Sequence, residues 1–206
     1  MEILDIKVMK GPNYWSTKRH HLIVMLLDLE EMEERPTNMI DGFPGRLQNL
    51  IPSLYSHRCS EGVEGGFFMR VKEGTWMGHV IEHIALEIQT LAGMEVGFGR
   101  TRESDKKGVY HVVFSYYEAK AGIYAAKASV AIAEALIEGR GYDLNKDIQK
   151  LRELREEERL GPSTGSIVEE AARRKIPWIR LNRYSLVQLG YGKNQQRIQA
   201  TVASTT

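Results

Sequence analysis

The run Gly78-His79-Val80-Ile81-Glu82-His83 brings together the residue types that zinc hydrolases use. On an α-helix each residue advances by about 100°, so with His79 at zero His83 falls near 40°, Glu82 near −60° and Glu87 near 80°. Met77, Val80, Ile81, Ile84, Ile88 and Leu91 gather between about 100° and 200°. One face of such a helix must pack, and the other collects two imidazoles and two carboxylates. Histidines four apart on one face can share one zinc ion, and a carboxylate beside them can act as general base toward water at the metal. His-x-x-Glu-His is the inverted form of the metallopeptidase helix motif. The alternative is a polar helix face that carries two histidines by chance.

A third ligand must come from elsewhere. Glu118 is preferred, because it sits where a strand ending at Tyr116 turns into an Ala-rich helix. Glu87, one turn beyond His83, has an angle better suited to supporting a ligand than to being one. Glu134 would require the second helix to run alongside the first. His111 shares a strand face with Val109 and Val113 and reads as structural, as do His20, His21 and His57, which have no partner spacing. Trp76 and Phe98 flank the motif, and Arg100 and Arg102 follow it closely, placed to hold substrate carboxylates. Ser163, Thr164 and Ser166 offer three hydroxyls at a helix start, an anion site or an ordinary cap. Gly190-Tyr191-Gly192-Lys193 is too short for a phosphate-binding loop.

The elements that must position these residues can be read from periodicity. Met1 to Met9 alternates as a half-buried strand, and His21 to Leu29 is a continuous apolar run, a buried strand. Glu30 to Arg35 is a turn or short helix, Gly42 to Leu54 a helix, and His57 to Gly66, with Cys59, a loop. Thr75 to Leu91 is the clearest helix, with Thr75 as N-cap and Gly93 as stop. Gly97 to Gly108 reads as a long loop, Val109 to Tyr116 as a strand and Tyr117 to Glu138 as a helix. Leu144 to Leu160 is heavily charged, an exposed helical connector. A new helix start follows at Gly161, then short strands at Ile176 to Leu181 and Leu186 to Leu189. Ala200 to Thr206 shows no cap or closing strand, so the second unit is expected to be cut off. The expectation is an α+β first domain over 1–160, a mixed sheet with packed helices, and a second unit over 161–206.

Composition sets the class. Among 206 residues, 28 Lys and Arg stand against 27 Asp and Glu, which leaves no basic excess for general nucleic-acid binding. The single cysteine, Cys59, cannot form an internal disulfide, so nothing asks for an oxidising compartment. The longest apolar run, Leu22 to Leu27, is too short to span a bilayer, and the start Met-Glu-Ile-Leu-Asp is not a signal peptide. No membrane partner and a cytoplasmic location are the default.

Several motifs together identify a family resemblance. Lys10-Gly11-Pro12-Asn13-Tyr14-Trp15-Ser16, Glu34-Arg35-Pro36, Gly65-Gly66-Phe67, Gly78 through Glu87 and Gly97-Phe98-Gly99-Arg100-Thr101-Arg102 resemble the amino-terminal domain of the cyanophycin synthetases. Leu160 to Thr164, Gln188 to Gly192 and Gln195 to Thr201 resemble the start of that family's ATP-grasp-type α/β domain. The resemblance implies an ATP-dependent ligase that builds an aspartate backbone with arginine on each side chain. ATP and Mg2+ would act only with residues beyond Thr206, and the full-length enzyme would be a homo-oligomer. The amino-terminal domain is associated with holding the polymer, cyanophycin, and in many members resembles a metallopeptidase that trims product into primers. His79, Glu82 and His83 match that motif residue for residue. Three readings follow: a zinc-dependent hydrolytic site, a non-catalytic polymer-binding module, and a domain that only positions the ligase domains.

Overall fold

The computed structural model describes residues 1–18 and 20–200 and the backbone of Val202–Ala203. Strands β1 (Glu2–Met9), β2 (Leu22–Asp28), β3 (Gly99–Glu103) and β4 (Val109–Ser115) form one sheet in the order β1-β2-β4-β3. The α+β expectation holds, but the sheet is antiparallel throughout rather than mixed. Short connections without a crossover helix join β1 to β2 and β3 to β4, so each pair returns antiparallel.

The apolar run of β2 has two destinations. Ile23, Met25 and Leu27 face the main core with Val112 and Phe114 of β4. Leu22 and Val24 join Val113 in a small cluster on the other face, covered by Met9, Trp15 and Phe98. A strand covered on both faces reads as a continuous apolar segment. Helices α1 (Phe43–Leu50), α2 (Gly66–Glu73), α3 (Met77–Leu91) and α4 (Ala119–Ile137) complete the core.

α1 stops at Leu50, short of the expected Leu54, and Pro52–Ser56 continues as a 3-10 turn. Pro52 disfavours helical geometry at Ile51, which sits at φ −130°. α2 has no counterpart in the sequence reading. The Gly97–Gly108 segment is not all loop, since β3 occupies Gly99–Glu103. Its polar Arg-Thr-Arg-Glu run on a sheet edge carries no apolar alternation to reveal it.

α5 (Leu144–Glu158) is not a bare connector. Leu151 and Leu154 are buried in the main core, and Arg155 Nη1 donates to the Ala92 carbonyl at 2.8 Å, tying α5 to the end of α3. α6 (Pro162–Arg173) and strands β5 (Trp178–Arg180), β6 (Leu186–Leu189), β7 (Gln196–Gln199) and β8 (Val202–Ala203) form a second antiparallel sheet unit around Val168, Val187 and Ile198. β8 pairs with β7, so a strand does follow Ala200. Among the described residues no helix is long and apolar enough to cross a membrane.

Candidate metal centre

α3 presents the motif. Its N-cap is Trp76, without a side-chain cap bond, rather than Thr75. The Thr75 hydroxyl instead lies 3.0 Å from His79 Nδ1. The expected stop is observed: Gly93, at φ +81°, donates to the Thr90 carbonyl, and Met94 donates to that of Gln89, a Schellman arrangement. The polar face of α3 is not solvated. Glu82, His83 and Glu87 are all under a tenth exposed, because the 52–61 segment and β3 cover them. Burying so many titratable groups is costly unless each has a partner, and each has one.

Three potential ligands converge. One donor atom each from Cys59, His79 and His83 lies within 4.8 Å of the others, and Cys59 Sγ is 3.2 Å from His79 Nε2. Burial and the nearby Arg70 hold His79 at about 4. Burial first, then His79 and His57, keep His83 well below its ordinary value. Both imidazoles are therefore neutral at pH 7 and have lone pairs free for a metal. Two neutral imidazoles with one soft sulfur match zinc, and three protein ligands leave a fourth position open.

Glu82 stands beside this group. The Thr101 hydroxyl donates to Glu82 Oε2 at 2.6 Å. Oε1 rests against the backbone of β3, where a Cβ on Gly99 would lie only 2.1 Å away. Burial pushes the Glu82 carboxyl up to about 7, against the opposing pull of the Thr101 hydroxyl, Arg100 and Arg102. The cleft has a volume of about 590 Å³, and its wall includes Glu82, both arginines and all three candidate ligands. Arg100 also lies 5.8 Å over the Phe98 ring.

The other candidates lie elsewhere. Glu118 does not reach the histidines: it is the N-cap of α4, with Arg180 and Glu158 as its charged neighbours. The cause is the direction of α3, whose Gln89 side chain donates to the Ser115 carbonyl. Gln89 lies about 15 Å along the α3 axis from His79, and the turn from Ser115 to Glu118 follows from that end of the helix. Glu134 accepts from the Met1 ammonium at 3.0 Å. Ser163 and Ser166 are exposed at the start of α6, and the Thr164 hydroxyl donates to the Ala200 carbonyl at 3.3 Å. His20, His21 and His111 pack against Phe98, Trp178 and Trp15.

Sequence reasoning passed over two residues of the cleft, Cys59 and His57. Their one local signal is His57-Arg58-Cys59, two ligand types two apart on a glycine-bearing loop. His57 Nε2 lies 2.7 Å from Glu87 Oε2, and its Nδ1 lies 2.8 Å from His83 Nδ1.

Comparison with known proteins agrees with this motif set. Residues 24–138 match the family model of the cyanophycin synthase-like N-terminal domain. The chain is 52% identical to the cyanophycin synthetase of Trichormus variabilis, over 100% of this chain and 23% of that protein. It is 52% identical to that of Synechocystis sp., over 99% of this chain and 24% of the relative. The cyanophycin synthetase of Crocosphaera subtropica is 49% identical over the same shares, 99% and 24%. The chain thus spans about a quarter of the length of these relatives. On the matched model, which covers more than half of its residues, the chain belongs to the cyanophycin synthase-like N-terminal domain family.

Proposed function

We propose that this chain handles cyanophycin as part of a cyanophycin synthetase and carries a zinc-dependent hydrolytic site that cuts the polymer into primers. The observation that carries the reading is the convergence of Cys59, His79 and His83 beside a buried carboxylate, Glu82. Residues 1–160 would form the polymer-handling domain and residues 161–206 the start of an ATP-grasp-type domain. ATP, Mg2+, the homo-oligomer and the cytoplasmic setting belong to the whole enzyme in this reading.

Cys59, His79 and His83 would hold the zinc. When bound, zinc would polarise the scissile carbonyl and make water more acidic. Glu82 takes the proton of the attacking water on its carboxylate. The water oxygen joins the carbonyl carbon, the C–N bond breaks, and Glu82 returns the proton to the departing amine. The buried contact with Thr101 keeps the carboxylate in one orientation through both transfers. Arg100 and Arg102, exposed at the rim, pair with the acidic groups of the polymer.

The test is cleavage of cyanophycin by purified protein with and without Glu82→Gln. Loss of a general base costs about 10²–10⁴-fold in rate. Undiminished cleavage in Glu82→Gln would sink the mechanism and leave a non-catalytic polymer-binding domain as the better account.

A further inference from the structure

A chain of three side chains, Glu87, the partly buried His57 and His83, runs beside the candidate ligands. Glu87, 3% exposed, contacts His57 Nε2 at 2.7 Å, and His57 Nδ1 meets His83 Nδ1 at 2.8 Å. These two contacts admit two proton arrangements. A carboxylate only accepts, so His57 Nε2 carries a proton and donates it to Glu87. In one arrangement this is the only proton on His57, and Nδ1 offers a lone pair. At 2.8 Å the facing atom must donate, so His83 carries its proton on Nδ1 and leaves Nε2 as a lone pair. The opposite assignment, a doubly protonated His57, would put the His83 proton on Nε2 and close that atom to a metal.

We propose that Glu87 and His57 are positioning residues that hold His83 as its Nδ1–H tautomer and aim Nε2 at the zinc position. This rests on the zinc reading above and assigns a role to two side chains that reading does not use. A histidine ligand commonly gives its other N–H to a carboxylate or carbonyl. Here the carboxylate acts through an intervening imidazole, because Glu87 is on the same helix as His83 and one turn away, while His57 enters from the loop between them. Thr75 is placed to do the same for His79, at 3.0 Å from its Nδ1.

Two measurements test this on the full chain. The first is zinc affinity by competition with a chromophoric chelator. His57→Leu and Glu87→Gln should each weaken zinc by about 10–100-fold. His57→Asn, whose carbonyl replaces the Nδ1 acceptor, should bind zinc within about threefold of wild type. The second is the ring 15N spectrum of the metal-free protein, which should show His83 as Nδ1–H in wild type and His57→Asn but not in His57→Leu. An Nε2–H His83 in the wild type overturns the proposal, as does His57→Asn binding as poorly as His57→Leu. A wild type that binds no zinc while His83 is Nδ1–H would defeat the zinc reading and leave the tautomer assignment standing.

Discussion

Thr101, on the edge strand β3, gives its hydroxyl proton to Glu82 on α3 across 2.6 Å, joining the sheet to a carboxylate in the cleft wall. A hydrogen bond to a charged, buried group is worth about 1.5–3 kcal/mol. Thr101→Val removes the donor and keeps the shape. Cleavage of cyanophycin should fall by about tenfold or more, with zinc content unchanged, while Thr101→Ser should keep most of the rate. A Val variant as fast as wild type would show that Glu82 needs no such support.

Gly99 is the second contact of Glu82. Because an added Cβ would lie 2.1 Å from Oε1, Gly99→Ala must drive the carboxylate out of place. The backbone at Gly99 is ordinary strand, so the fold should survive. The expected outcome is a thermal midpoint near that of wild type with cleavage reduced to the level of Glu82→Gln. Normal cleavage in Gly99→Ala would mean that Glu82 acts from another position.

Cys59 and Glu118 compete as third ligand, and zinc titration separates them. Loss of an outer supporting group costs about 10–100-fold in metal affinity, so loss of a ligand should cost at least the upper end. Cys59→Ser should therefore weaken zinc by more than about a hundredfold, and Glu118→Gln should leave it unchanged. The reverse result would restore Glu118.

Most of the fold and half of the site were legible in the residues. β2, β4, α3 and the Gly93 stop follow from apolar period and capping, because burial on regular elements imposes those periods. His79, Glu82 and His83 are visible because one helix carries all three. Cys59 and His57 are not, because they arrive on a loop about twenty residues earlier in sequence, and no periodicity links a loop to a helix it folds over. β3 is hidden for a related reason: an exposed edge strand with arginines at alternate positions has no apolar face to announce it. Glu118 misled because the junction of a strand and a helix is a common place for a site residue, yet here it opens toward Arg180 and Glu158.

Glu118 carries its own pH prediction. Burial raises its carboxyl to about 7, with Arg180 opposing and Glu158 adding to the rise. The folded value thus lies above the unfolded one of about 4.3. The protonated form is favoured in the fold, so its contribution is full below about pH 4 and lost as pH rises through about 7. Glu118→Gln, neutral at every pH, should melt a few degrees above wild type at about pH 8 and match it near pH 4. An equal difference at both values would show that Glu118 does not titrate between them.

The most direct measurement is zinc anomalous scattering from crystals of the zinc-loaded chain, collected on both sides of the zinc absorption edge. The account predicts one strong peak about 2.3 Å from Cys59 Sγ and about 2.0–2.1 Å from one ring nitrogen each of His79 and His83, with Glu82 adjacent but not bonded. No peak at that position, or a peak held by other residues, would contradict it.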